Sequence, residues 1–367
     1  MDRRDFLNRT LQTALAAAVG DRLDPGSLAL EPPAGRPWRE FEVVFRAEVV
    51  GPAGATRVWL PLPLAPDTDY YRSLGHSSSG NATRTAVYRD DRYGAEIFYA
   101  EWPAGEATPL LELACRFATR DRSVDLSAPG PVAAPPVAEL QRFLEPTRLI
   151  RTDGIVAETA GEITKDSRGD LEKARAIYEW IVVNTFRDPK VRGCGVGDIR
   201  SMLETRNLGG KCADLNALFV GLARAAGLPA RDLYGMRVAD SSEFKCLGRS
   251  GDVTKAQHCR AEFYTPALGW VPVDPADVRK VVLEENGGLS LEDPIVARAR
   301  AKLFGAWEMN YLPFNVAHDV PLPNSAREPI PFLMYPQADT GEVAKDCLDP
   351  DAFRYRITSR ELRPARA

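Results

Sequence analysis

From residue 38 to residue 122 the apolar positions of the chain fall at period two. Phe41, Val43, Phe45, Ala47 and Val49 alternate with polar or charged neighbours. That spacing puts one side of a strand in a core and the other toward water. The runs VWLPLPL, TAVYRD, AEIFYAEW and LLELACRF follow. Each is short, rich in Val, Phe, Tyr or Leu, and bounded by residues that favour turns over strand interiors. The pattern predicts a β-sandwich of about 85 residues over 37–127. The Pro- and Ala-rich stretch SAPGPVAAPP then reads as a linker.

Beyond the linker the period changes to that of helices. Segments 138–147, 153–164 and 170–186 carry it, and in the third Ala174, Ile177, Tyr178, Ile181 and Val182 form one stripe. Asp188-Pro189 closes that segment, because the residue before a proline is pushed out of the helical region. Residues 193–211 hold Gly193, Gly195, Gly197, Gly209 and Gly210 and read as loop. From Ala213 to Ala226, Leu215, Leu218, Phe219 and Leu222 stand at helical spacing, and Gly227 and Pro229 stop the run. Strands are expected at 230–238, 257–264 and 270–274, and a helix at 286–304. The tail from 305 to 367 mixes periods. The fold class expected is α+β: an N-terminal β-sandwich, then a core over 138–290 with helices packed on an antiparallel sheet, then an extension over 291–367 packing on that core.

The first twenty residues follow a different logic. Arg3-Arg4 precede Asp5, Phe6 and Leu7, and a mild apolar stretch runs from Leu11 to Gly20. It is too short to span a bilayer and fits the apolar region of an export signal. The segment resembles a twin-arginine signal, so residues 1–36 are expected to be signal and lead-in. A periplasmic or extracellular location follows as an expectation, with no membrane span in the mature chain. No cysteine precedes Cys115, which argues against a lipid-anchored N-terminus.

Composition narrows the function classes. Of the 367 residues, 47 are Lys or Arg and 51 are Asp or Glu, a net charge of -4. That balance argues against a nucleic-acid binder working by bulk positive charge. The three histidines, His76, His258 and His318, leave few candidates for imidazole chemistry and make a multi-histidine metal site an unpromising reading. The six cysteines contain no CxxC pair, so no zinc cage is expected. No EF-hand-like acidic run occurs, so no Ca²⁺ site is expected either. Neither a metal nor a cofactor is predicted. Cys194 is open to three readings: a disulfide with Cys246, one with Cys259, or a place lining the cleft.

One constellation carries chemistry. Cys212 follows Gly-Gly-Lys and opens the helix that starts near Ala213. A helix start presents N–H groups and partial positive charge, both of which stabilise a thiolate and a developing oxyanion. His258 lies in QHCRAEFY, where His258, Arg260, Glu262 and Tyr264 share one face of a strand. The strand WVPVD returns through a turn at 265–269 and ends at Asp274. With the turn centred near Pro266 or Ala267, His258 and Asp274 stand opposite or one diagonal apart on one face. A carboxylate there would orient the imidazole, and the imidazole would serve a nucleophile as base. His318-Asp319 has no accompanying nucleophile and reads as structural. Lys211 reads as solvated, Asp214 and Asn216 as helix-start or loop-supporting residues, and Trp270 as core or cleft wall. A substrate role for Tyr234 or Arg237 is open.

Residues 209–231 (GGKCADLNALFVGLARAAGLPAR) resemble the cysteine-helix motif of the transglutaminase-like superfamily. HCRAEFYTPALGWVPVDPA is similar to its His and Asp strands, and KARAIYEWIVVNTF to the helix before its catalytic loop. The three motifs occur in order over about residues 170–280. The resemblance implies a papain-like core and a triad of Cys212, His258 and Asp274. It implies thiol acyl chemistry on a protein or peptide substrate, in the cell envelope if the export signal operates. Members of the family cross-link amides, cleave peptides or remove glycans from them, and some are inactive. Ala213 follows Cys212, so the Cys-Trp pair of the animal crosslinking enzymes is absent and the chain resembles the microbial branch. A hydrolase (peptidase or amidase) is the leading expectation. A crosslinking acyltransferase and a non-catalytic binding module are the alternatives.

Overall fold

A computed structural model describes residues 37–362, apart from Pro129 and Pro131. The export signal and lead-in expected over 1–36 therefore lie outside the described residues. Those described fall into two compact units. One takes 122–232 and 260–307; the other takes 37–121, 233–259 and 308–362.

In chain order the first strands are β1 (Arg39–Val49), β2 (Thr56–Pro61), β3 (Tyr71–Gly80), β4 (Arg84–Arg89), β5 (Glu96–Trp102), β6 (Leu110–Thr119) and the short β7 (Arg122–Ser123). Helices α1 (Val137–Arg142), α2 (Ile155–Thr164) and α3 (Asp170–Asn184) follow, then β8 (Phe186–Arg187), α4 (Ile199–Thr205), β9 (Gly209–Gly210) and α5 (Cys212–Ala225). Next come β10 (Ala230–Arg237), β11 (Gly251–Asp252), β12 (Gln257–Thr265), β13 (Gly269–Val273), α6 (Pro275–Glu284) and α7 (Pro294–Lys302). The chain ends in β14 (Ala306–Trp307), β15 (Tyr311–Asn315), β16 (Gln337–Thr340), β17 (Val343–Lys345) and β18 (Phe353–Leu362).

The second unit holds two five-stranded sheets, in the orders β11-β18-β1-β6-β3 and β17-β16-β2-β5-β4. The alternation in β1 is the cause: Phe41, Val43, Phe45, Ala47 and Val49 are all buried and the residues between them are not. His76 of β3 meets Phe98 of β5 edge-on at 6.0 Å, so side chains of the two sheets touch. Residues 337–362 contribute to both sheets. β18 pairs antiparallel with β1 from Glu40↔Leu362 to Val49↔Phe353, and β16 pairs with β2.

In the first unit α3 packs against α2, α5 and α6. Helix α5 is buried from Cys212 through Arg224, so it is a central helix rather than an amphipathic surface one. Phe219 on it meets Phe263 of β12 at 6.2 Å, and Phe263 meets Phe304 at 5.7 Å. In this unit β12 and β13 form an antiparallel hairpin, and in the second unit β10 pairs antiparallel with β15. Strands β10 and β12 each contribute residues to both units. Helices on an antiparallel sheet, behind N-terminal antiparallel sheets, are the α+β class expected.

Two stretches depart from the sequence reading. The helix expected over 286–304 starts only at Pro294. Asn286, Gly287 and Gly288 all have positive φ (49°, 84° and 111°), which no right-handed helix accommodates. Asp293 then caps the new helix by accepting the Ile295 N–H at 2.8 Å. Within the stretch read as loop, Asp198 accepts the Ser201 N–H at 3.0 Å and starts α4, which ends at Arg206 in the left-handed region.

Candidate active site

Cys212 is the first residue of α5 and is 4% exposed. Four hydrogen bonds fix the backbone around it. The Ala213 N–H donates to the Cys194 carbonyl at 2.9 Å. Asp214 Oδ2 accepts the N–H of Lys211, the cap residue, at 2.9 Å. Asp214 Oδ1 accepts the N–H groups of Val196 and Gly197, each at 2.9 Å. The glycine loop is thus folded across the start of the cysteine helix. Gly195 has φ +92°, and a Cβ there would overlap the Asp214 carboxylate, so only glycine fits. Burial pushes the Asp214 carboxyl up and the three backbone N–H groups oppose it; the neighbouring Cys212 adds to the rise.

Asp274 is placed by a hairpin and a cap. The β12–β13 ladder runs from Thr265↔Gly269 to Ala261↔Val273. One more step of that register sets Arg260 opposite Asp274. His258 precedes Arg260 by two residues on β12. Asp274 is also the N-cap of α6, where Pro275 opens the helix with no N–H to waste. Its Oδ1 accepts the Asp277 N–H at 3.0 Å and the Asn216 side-chain amide at 3.0 Å. Its Oδ2 lies 3.9 Å from Arg260 Nε. Asn216 stands four residues after Cys212, on the same side of α5. The first unit therefore joins the cysteine helix to Asp274 through one buried side chain. His258 is buried; its carbonyl accepts the Tyr311 hydroxyl at 2.9 Å, and its ring meets Tyr311 edge-on at 6.2 Å.

The family model for the transglutaminase-like superfamily matches residues 157–275, which span the cysteine helix, both strands of the hairpin and Asp274. An uncharacterized protein of Haemophilus influenzae is 36% identical over 328 residues, 85% of this chain and 88% of that one. This chain belongs to the transglutaminase-like superfamily. The crystal structure of a candidate cysteine protease from Cytophaga hutchinsonii shares its fold, with a TM-score of 0.56 and 14% identity over 90% of this chain and 93% of that one. The periplasmic domain of TgpA from Pseudomonas aeruginosa matches 65% of this chain and 92% of its own at a TM-score of 0.34.

Within this transglutaminase-like core, Asn216 and Arg260 are the residues that sequence reasoning undervalued. The signals were present: Asn216 follows Cys212 by one helical turn, and Arg260 shares the face of His258 in QHCRAEFY. Trp270 is half-buried, with the Arg231 guanidinium 3.9 Å above its ring and Phe143 against its edge at 5.3 Å. Glu262, fully buried, accepts from Arg122 and from Arg231 Nε at 2.7 Å, so charge on that face is paired. Arg237 donates to the Leu247 carbonyl at 2.7 Å. Tyr234 Oη lies 3.3 Å from His318 Nδ1, and the His318 ring is also edge-on to Tyr93. Those contacts give His318 a packing role in the second unit. No disulfide joins any of the six cysteines, so neither pairing considered for Cys194 is present. Among the described residues no helix is long and apolar enough to cross a membrane.

Proposed function

We propose that the protein is a cysteine-dependent acyl-transfer enzyme acting on peptide or side-chain amides, with Cys212 as nucleophile, His258 as base and Asp274 as the carboxylate that orients it. The observation that carries the reading is the Asn216 bridge: Asn216, one helical turn after Cys212, donates its side-chain amide to buried Asp274 at 3.0 Å. The helix start stabilises the Cys212 thiolate, and Sγ attacks the amide carbonyl carbon. The oxyanion forms at the start of α5, where the helix presents partial positive charge. The C–N bond breaks, the amine leaves with the proton carried by the His258 imidazolium, and a thioester remains. Water, losing a proton to His258, attacks the thioester and releases the acid and the thiol.

Hydrolysis is the favoured outcome. Incubation of the mature protein with a casein digest and excess cadaverine, followed by mass spectrometry, tests it. Free acid or new peptide termini are expected, absent from Cys212→Ala. A cadaverine adduct as the main product identifies a crosslinking acyltransferase, and no product in either channel identifies a binding module. We further propose that the Arg3-Arg4 segment directs export, so the substrate is a protein or peptide of the cell envelope. Fusion of residues 1–36 to a reporter active only outside the cytoplasm should export it, and Arg3→Lys with Arg4→Lys should abolish that.

A further inference from the structure

Asp214 is not one of the three residues given a chemical role, yet it organises the surroundings of the nucleophile. Its carboxylate takes three backbone N–H groups at 2.9 Å, two from the loop at Val196 and Gly197 and one from Lys211, the cap of the cysteine helix. It is closed in on two sides by glycines. A Cβ at Gly195 would overlap the carboxylate, and one at Gly210 would lie 2.6 Å from the Asp214 Cβ. The chemistry demands an acid rather than an amide. Both oxygens accept, and an asparagine offers only one acceptor oxygen. With that oxygen on Val196 and Gly197, the NH₂ would face the Lys211 N–H, donor against donor. With it on Lys211, the two loop N–H groups would lose their acceptor.

We propose that Asp214 is a positioning residue that ties the 194–197 loop to the start of the cysteine helix, so holding the backbone around Cys212 Sγ in the form that receives an oxyanion. The inference rests on Cys212 being the nucleophile. The loop is coupled directly to the reacting turn, because the Cys194 carbonyl takes the N–H of Ala213, the residue after the nucleophile. Asp214 also places a carboxylate beside Cys212, which works against thiolate formation. Its retention there is explained by geometry rather than by activation of sulfur.

Two reagents separate these roles. Iodoacetamide alkylates a thiolate by displacement at carbon and forms no oxyanion. p-Nitrophenyl acetate acylates it through a tetrahedral oxyanion: Sγ bonds to the carbonyl carbon, the ester C–O bond breaks, and p-nitrophenolate leaves. Rates at Cys212, located by mass spectrometry, are to be compared for the unsubstituted protein and Asp214→Asn. Misplacement of a reacting turn by about 1 Å costs roughly 10²-fold. Acylation is therefore expected to slow by about that factor in Asp214→Asn, while alkylation stays within a few-fold of the original or rises. Acylation that is unchanged, or that falls in step with alkylation, overturns the proposal. Should Asp214→Asn fail to fold, Gly195→Ala displaces the loop with the carboxylate intact. It must show the same selective loss, and unchanged acylation in it is equally fatal. If Cys212 of the unsubstituted protein reacts with neither reagent, the nucleophile assignment falls and this inference with it.

Discussion

Asp232 of β10 has no exposed surface, and burial pushes its carboxyl up to about 7; Arg224 pulls it down and Cys212 adds to the rise. The folded state therefore holds this proton more tightly than the unfolded chain. The associated stability is fully present below about pH 4 and is lost as pH rises through about 7. Asp232→Asn should flatten the fall in thermal midpoint across that window, and an unchanged fall would exclude Asp232 as its source. Asn216 sets a second residue-level expectation. Asn216→Ala leaves Asp274 short of one donor in a buried site, a loss of about 1–3 kcal/mol by urea unfolding, together with lower activity. Cys115 is the internal control: burial pushes its thiol up to about 12, so iodoacetamide should not label it in the folded protein at neutral pH. The residue types at the candidate site were readable because each depends on local grammar: glycine before a helix, alternation along a strand, an acid before proline. The Asn216–Asp274 contact was not, because it joins positions 58 residues apart and no local pattern records that pairing.

At the scale of elements, Asp274 does two jobs, and they can be separated. It caps α6 and, in the function proposed, orients His258. Asparagine is as good an N-cap as aspartate, so Asp274→Asn should keep α6 capped and the protein folded, with thermal stability lowered because buried Arg260 loses the carboxylate beside it. Activity should fall by about 10⁴-fold, because the amide cannot stabilise an imidazolium. Full activity in Asp274→Asn would reduce Asp274 to a capping residue. Helix α6 itself went unread, since Val-Asp-Pro-Ala reads equally as the end of a strand and the start of a helix, and here it is both. The hairpin was read to within one step of register, and Gly269 (φ +70°) decides it by closing the turn opposite Thr265. Helix α7 starts later than expected because Asn286, Gly287 and Gly288 hold positive φ, a backbone conformation outside the right-handed helix.

At the scale of the whole molecule, the last strands complete sheets begun three hundred residues earlier in sequence. The tail was illegible for a physical reason: only Phe353 and Ile357 of β18 are buried, so the strand lacks the alternation that announces one. Truncation after residue 336 would strip β18 from β1 and β16 from β2, leaving two long unpaired edges. Such a chain should be insoluble or lose cooperative unfolding by circular dichroism, and a soluble, cooperatively folding product would show that the sheets are complete without it. The proposed chemistry depends on a thiolate and its imidazole, which the pH dependence of Cys212 alkylation in the mature protein, with His258→Ala alongside, would reveal. Cys212 is expected to react well below pH 7, with a midpoint that rises when His258 is removed. An inert Cys212, or a midpoint near the ordinary thiol value of about 8.5 in both proteins, would contradict the catalytic assignment.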